Sequence, residues 1–308
     1  MIGTPIMWAV FFTVIIVMFA IDMGLLNRGS KHISVKRAFA MTGFWIGLAL
    51  VFGVMIYFEM GSTSATQYYT AYVIEEMMSV DNLFVFIIIF AYFSVPDEYQ
   101  HKALFYGIIG AFVFRALFIF TGAELLDAFD WMMYIFGIIL IYTAIKTVTK
   151  KDGNKDSKLA KRLSRIISMS PDFDGDKLFT RYNGRRLITP LLLCIVVIEL
   201  TDIMFAFDSI PAALAISTDK FIIYTSNLFA VLGLRSLFFA IKGSMEHLEY
   251  LKYGLGIILA FIGVKMLLSE YYEVDVLLSL AIILIVLAAT VAVSLHMRRV
   301  KQKASGIG

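Results

Sequence analysis

Residues 190–217 read PLLLCIVVIELTDIMFAFDSIPAALAIS, and the only charged side chains in the run are Glu199, Asp202 and Asp208. A helix needs about 20 apolar residues to cross a hydrocarbon core of ~30 Å, and this run exceeds that. It shows no polar stripe of the kind that a soluble surface helix turns to water. The stretch is therefore a spanning helix with carboxylates inside it. Residues 72–93, YVIEEMMSVDNLFVFIIIFAYF, have the same character, with Glu75, Glu76 and Asp81 in an apolar run.

Working outward from these two runs, the whole chain is built alike. Of its 308 residues 60% are hydrophobic and 17% charged, and the mean hydropathy is +0.82. A soluble domain of this size needs more polar surface than that composition supplies. The fold class expected is all-α: a polytopic membrane protein of about nine transmembrane helices, near 7–26, 38–58, 72–93, 103–125, 131–149, 190–217, 221–241, 252–269 and 276–297. Met1 to Phe12 holds no Lys or Arg, so the start reads as the first span rather than a cleaved signal.

The connections alternate in basic content. Arg28, Lys31, Lys36 and Arg37 follow the first span, residues 150–189 are rich in Lys and Arg, and Arg298, Arg299, Lys301 and Lys303 close the chain. All of these fall on one side if the N-terminus is outside and the C-terminus cytoplasmic. Five parts result: two N-terminal helices (1–71), a three-helix unit (72–149), a basic cytoplasmic loop (150–189), a second three-helix unit (190–269), and a last helix with a basic tail (270–308). Within the loop, Ser157 to Met169 has the spacing of an amphipathic helix. Phe179 to Arg186 reads as a hairpin turning at Asn183-Gly184, a better account than a calcium loop at Asp172, Asp174 and Asp176.

The two three-helix units repeat. Tyr134-x-x-Gly137-Ile138-Ile139-Leu140 with Lys146 recurs as Tyr253-x-x-Gly256-Ile257-Ile258-Leu259 with Lys265. Arg115-Ala116-Leu117-Phe118 matches Arg235-Ser236-Leu237-Phe238, and Ser79-Val80-Asp81-Asn82 matches Ala206-Phe207-Asp208-Ser209. Glu75 and Asp202 stand at equal distances before the paired aspartates. An odd number of spans per unit makes the second copy inverted, the architecture of many secondary transporters.

Each charge at the bilayer centre costs ~2.5–3.5 kcal/mol on insertion scales, so these acids face one another, bases or water. Candidate metal ligands are Glu75, Asp81, Asn82, Glu199, Asp202 and Asp208, with Asp22 near a helix end. Ser79, Thr201 and Ser209 add hydroxyls, while Arg115, Arg235 and Asn227 support. Arg115, Arg235 and Lys265 balance some of the acids, and Lys265 has the reach to snorkel to the interface. Asn227 reads better as a helix–helix hydrogen bond than as a ligand. Glu76 lacks an acidic counterpart in the second unit and ranks below Glu75. Pro211 removes a backbone donor and leaves the Phe207 carbonyl without its partner, which predicts a broken helix beside Asp208. An all-oxygen ligand set suits Mn²⁺, Mg²⁺ or Ca²⁺ rather than Zn²⁺ or Cu⁺. Met78 and Met204 read as packing. Cys194 is the sole cysteine, so the chain has no dithiol, and a redox enzyme is disfavoured.

The run Glu75-Glu76-Met77-Met78-Ser79-Val80-Asp81-Asn82-Leu83-Phe84-Val85 resembles the first signature of the TerC family of integral membrane proteins. Thr189-Pro190-Leu191 with Glu199 to Ala212 resembles the second, and Thr225-Ser226-Asn227-Leu228-Phe229-Ala230 with Gly233-Leu234-Arg235 is similar to a third conserved stretch. The likeness is greatest to the Alx-type branch. It implies a bacterial inner-membrane protein, not an enzyme, that exports Mn²⁺, with ligands at Glu75, Asp81, Glu199, Asp202 and Asp208. The partners expected are the lipid bilayer, a divalent metal ion and protons competing for the same carboxylates. No prosthetic cofactor and no nucleic acid are expected. The competing class is a membrane stress-response or redox modulator, or an assembly factor, whose acids are structural.

Overall fold

The computed structural model describes residues 3–26, 34–121, 131–149, 169–170, 172–182, 185–245, 250–268, 271–272 and 274–304. Helices dominate: α1 (Pro5–Leu26), α2 (Val35–Phe93), α3 (Asp97–Thr121), α4 (Trp131–Thr149), α5 (Pro190–Ile216), α6 (Lys220–Met245), α7 (Leu251–Leu268) and α8 (Val276–Ala304). Five of them are long and apolar enough to cross a membrane, and α1, α4 and α7 contain shorter apolar helices. The protein is an all-α polytopic membrane protein. The predicted amphipathic helix at 157–169 falls outside the described residues, except for Met169.

The ends of the helices follow local chemistry. Ser34 and Thr189 cap α2 and α5, accepting from Arg37 N at 3.4 Å and from Leu192 N at 3.4 Å. Pro190 opens α5, where its missing N–H is no loss. Asp219 and Asp275 cap α6 and α8, accepting from Phe221 N and Leu277 N, both at 2.9 Å. Ser94, left-handed at φ 53, closes α2 ahead of Pro96.

Two sequence expectations are corrected. The loop expected between the second and third spans (near 59–71) is instead a single non-helical residue, Gly61, with φ 87 and ψ 175. At ~1.5 Å per residue the 59 residues of α2 would extend about 90 Å if straight. The chain folds back at Gly61 instead. Tyr68 donates to the Ala49 carbonyl at 3.1 Å and Tyr69 to that of Leu50 at 2.8 Å, which sets the two limbs antiparallel. The second correction concerns Pro211, since α5 continues through it as one helix. One missing donor is tolerated where the flanking Ile210 and Ala213 are buried in the core.

The hairpin is present: β1 (Phe179–Tyr182) pairs antiparallel with β2 (Arg185–Ile188) in the register Tyr182↔Arg185, and the turn residues 183–184 lie outside the described residues. Asp174 bonds Thr180 at 2.7 Å and Lys177 at 3.1 Å, and Asp176 bonds Lys102 at 2.9 Å, so these acids are paired rather than grouped for calcium.

Packing places α6 innermost, while α8 lies largely exposed at the edge. The main helix pairs are α2 with α6, α4 with α7, α2 with α5, and α3 with α5. An aromatic cluster joins α1, α2 and α6, with ring centres 4.8 Å apart for Trp8–Phe221 and 4.9 Å for Phe52–Phe229. In the α4–α7 pair, a Cβ on Gly137 would meet the Gly263 carbonyl at 2.9 Å, and one on Gly263 would meet the Gly137 carbonyl at 2.8 Å. Close backbone approach of this kind needs glycine on both helices.

Candidate cation-binding site

Arg115, on α3, is fully buried, and its guanidinium organises the centre of the bundle. It donates to Glu75 of α2 and to Asn227 of α6 through Nη1. It also donates to both oxygens of Asp202 on α5, at 3.3 Å through Nη2 and 3.4 Å through Nε. Asn227 Nδ2 in turn donates to Glu75 Oε2 at 2.9 Å, and Asn82 Nδ2 reaches Asp202 Oδ1 at 3.5 Å. Arginine suits this place because its rigid fork of five N–H groups can serve two carboxylates together. Removing one partner of such a buried group typically costs 3–5 kcal/mol, since the other charge stays buried.

Beside this network lies a small cavity, about 10 Å³ for a water-sized centre, lined by Glu75, Met78, Asp81, Asn82, Phe205, Ser209 and Lys265. That is room for about one water or one bare cation. Asp81 Oδ2 accepts from Ser279 of α8 at 3.4 Å. Asn82 Oδ1 and Ser209 Oγ on the cavity wall have no hydrogen-bond partner, nor does Ser79 Oγ one turn from Asn82. Buried polar atoms nearly always have a partner, so three such oxygens on two facing helices form an incomplete acceptor set. A second cavity, about 20 Å³, has Asp202 and Arg235 on its wall among apolar residues that include Phe86, Leu104 and Ile198. The Asn82–Asp202 contact stands between the two spaces.

The predicted residues divide as follows. Glu75, Asn82, Asp202, Arg115 and Asn227 meet in one network, and Asp81 and Ser209 join Glu75 and Asn82 on the first cavity. Asn227 acts as the expected helix–helix hydrogen bond. Thr201 instead bonds its own helix, donating to the Val197 carbonyl at 2.7 Å. Arg235 Nη2 lies 3.4 Å from His101 Nδ1, on a ring stacked on Phe239 with centres 3.8 Å apart. Lys265 lines the cavity rather than snorkelling. Glu199 is half-buried against Gly110, and its Oε2 has no partner. Glu76 accepts from Tyr72 at 2.8 Å. Asp22 and Asp208 are helical in backbone, but their side chains lie outside the described atoms. Among the described residues no three His, Cys, Asp or Glu side chains gather closely enough to hold a metal by themselves. Among the described side chains, a cation here would draw on amide and hydroxyl oxygens as well as carboxylates. Sequence reasoning missed His101, Ser279 and the Gly110 seat of Glu199. Only the last had a visible signal, the small pair Gly107 and Gly110 on one helix.

The sequence profile of the integral membrane protein TerC family matches residues 60–302, which takes in both acid-bearing runs, 72–93 and 190–217. The chain belongs to the TerC family. Among other TerC-like relatives, a membrane protein of Myxococcus xanthus is 42% identical over 297 residues, covering 96% of this chain and 93% of its own. A protein of Escherichia coli K12, provisionally named a membrane-bound redox modulator, Alx, is 40% identical over 301 residues, covering 94% of each chain. A membrane protein of Rickettsia bellii is 41% identical over 278 residues, covering 89% of this chain and 92% of its own. No solved structure matches this TerC protein.

Proposed function

We propose that this TerC-family protein is a transporter of hard divalent cations in the bacterial inner membrane, with Mn²⁺ the cargo and export the direction. The observation that carries the reading is the first cavity, where partnerless oxygens of Asn82 and Ser209 stand beside Asp81 and Glu75. A donor set of carboxylate, amide and hydroxyl oxygens favours Mn²⁺, Mg²⁺ or Ca²⁺ over softer metals. The choice of Mn²⁺ and of export rests on the resemblance to the family.

Alternating access through nine spans and two inverted three-helix repeats is the architecture proposed. The helix pairs support it, because α2–α6 and α3–α5 exchange into each other when α2 is matched to α5 and α3 to α6. The α4–α7 seam behaves alike: Gly137 faces Gly263, while Gly256, the counterpart of Gly137, would meet the Ala144 carbonyl at 3.4 Å if it bore a Cβ. Ala144 is the repeat counterpart of Gly263. The orientation proposed has the N-terminus outside and the C-terminus cytoplasmic. It is supported by the contacts Lys242–Asp97 and Lys102–Asp176, which put the hairpin segment, the start of α3 and the end of α6 at one end of the bundle. Protons would compete with the metal for the same carboxylates.

The test is Mn²⁺ flux into proteoliposomes carrying the purified chain and an internal Mn²⁺-sensitive dye. Asp81→Asn, at matched protein content, is expected to lower flux about tenfold or more, equivalent to ~1.4 kcal/mol or more. Equal flux in wild type and variant would overturn the reading. The name of the E. coli relative favours a second reading, a redox modulator. Cys194 is buried and is the chain's only thiol, so a redox role would have to work without an internal disulfide.

A further inference from the structure

We infer that Arg115 is a tethered competitor of the transported cation, holding Glu75 and Asp202 while the cargo is absent and giving them up when it binds. The inference rests on the transport reading and adds a mechanism to it.

Three features of the centre carry it. First, the charged donors are taken. Both oxygens of Glu75 are engaged, one by Arg115 and one by Asn227, and both oxygens of Asp202 accept from Arg115. Second, the neutral donors are idle: Ser79 Oγ, Asn82 Oδ1 and Ser209 Oγ have no partner. A divalent cation wants both kinds at once, and the guanidinium now occupies two of the carboxylates, Glu75 and Asp202. Third, the guanidinium binds a carboxylate on the wall of each cavity, Glu75 on the first and Asp202 on the second. Glu75 and Asn82 face one cavity and Asp202 the other, so a guest moving between them meets the layer of Asn82, Asp202 and Arg115.

Asn227 completes the device. Its Oδ1 accepts from Arg115, which gives the guanidinium a neutral anchor on α6 when the carboxylates turn to the metal. The two carboxylates thus exchange the single charge of the guanidinium for the double charge of the cation and are never left unpaired. The exchange also returns the site to its resting state, because Arg115 recaptures Glu75 and Asp202 as the cargo leaves. A transporter needs such weakening; a site without it would bind tightly and release slowly.

The test uses the full chain in nanodiscs for Mn²⁺ binding and in proteoliposomes for flux, comparing wild type, Arg115→Gln and Arg115→Lys. Arg115→Gln is expected to bind Mn²⁺ about tenfold more tightly or better, while its flux falls by a similar factor. Arg115→Lys keeps the charge but not the fork, and its affinity is expected to lie between the two. Arg115→Gln affinity equal to or weaker than wild type overturns the inference. Thermal unfolding provides a second readout if metal-free Arg115→Gln is unstable. Mn²⁺ should then raise its melting temperature more than that of wild type, and failure of Mn²⁺ to stabilise it overturns the inference. A wild-type chain that binds no Mn²⁺ overturns the transport reading and the inference with it. Wild-type binding without tightening in Arg115→Gln overturns the inference alone.

Discussion

Glu199 and Asp202 sit one turn apart on α5, yet they settle differently in the bundle. Asp202 is 3% exposed and shares the Arg115 guanidinium, whereas Glu199 lies against the bare backbone of Gly110. A Cβ at Gly110 would come within 2.0 Å of Glu199 Oε2. Gly110→Val is therefore expected to lower stability by about 1–3 kcal/mol, the usual range for overpacking. Thermal melts of the purified protein in detergent check this, and an unchanged midpoint would mean that the Glu199 side chain can swing aside. At this scale the sequence told which residue types had to find each other, because acids and bases inside apolar runs are few. It did not tell who pairs with whom. Glu75, Arg115, Asp202 and Asn227 come from four different helices, and their meeting depends on crossing geometry that helical periodicity does not contain. The same reason hid Ser279 from view, since a serine near the start of α8 carries no mark of its contact with Asp81.

At the level of elements, the helical and apolar character of the chain was read correctly, and two marks of punctuation were not. Pro211 promised a break in α5 that is absent, and Gly61 made one in α2 where a longer loop was expected. Residues 62–71 include Ser62, Thr63, Ser64, Thr66 and Gln67, polar enough to look like a loop but able to continue a helix whose other faces pack. Tyr68 and Tyr69 reach back across the fold to Ala49 and Leu50 and hold the limbs together. Everything then falls on one residue, at φ 87 and ψ 175, a conformation that is essentially glycine's alone. Gly61→Ala is expected to cost about 1–3 kcal/mol of stability, read as a lower midpoint in chemical or thermal unfolding. A wild-type midpoint would mean that the limbs turn by another route.

For the whole molecule, one end of the bundle is clasped by charge. Lys102 of α3 donates to the Asp176 carbonyl at 2.7 Å and to its carboxylate at 2.9 Å, and Tyr99 lies against Phe173 with ring centres 6.1 Å apart. Hydrogen bonding from Lys102 holds the Asp176 carboxyl below its usual value of 3.8. A depressed carboxyl pKa stabilises the docked form above 3.8, and that contribution disappears as pH falls through the lowered value. Amide protection factors, exchange corrected for the intrinsic rate at each pH, are expected in residues 177–182 to be high at neutral pH and to fall below about 3.8, with Lys102→Ala low at both. Equal exchange in wild type and variant at neutral pH would show the clasp to be idle. The seam between α4 and α7 has the opposite character. Where Gly137 and Gly263 touch, main chain lies on main chain, and Leu267 and Ile141 pack into the notches that the two glycines leave. Neither helix can slip past the other there by the ~1.5 Å rise of a residue without moving those two side chains. Such an interlocked track keeps the two rods in step, so that they would travel as one piece.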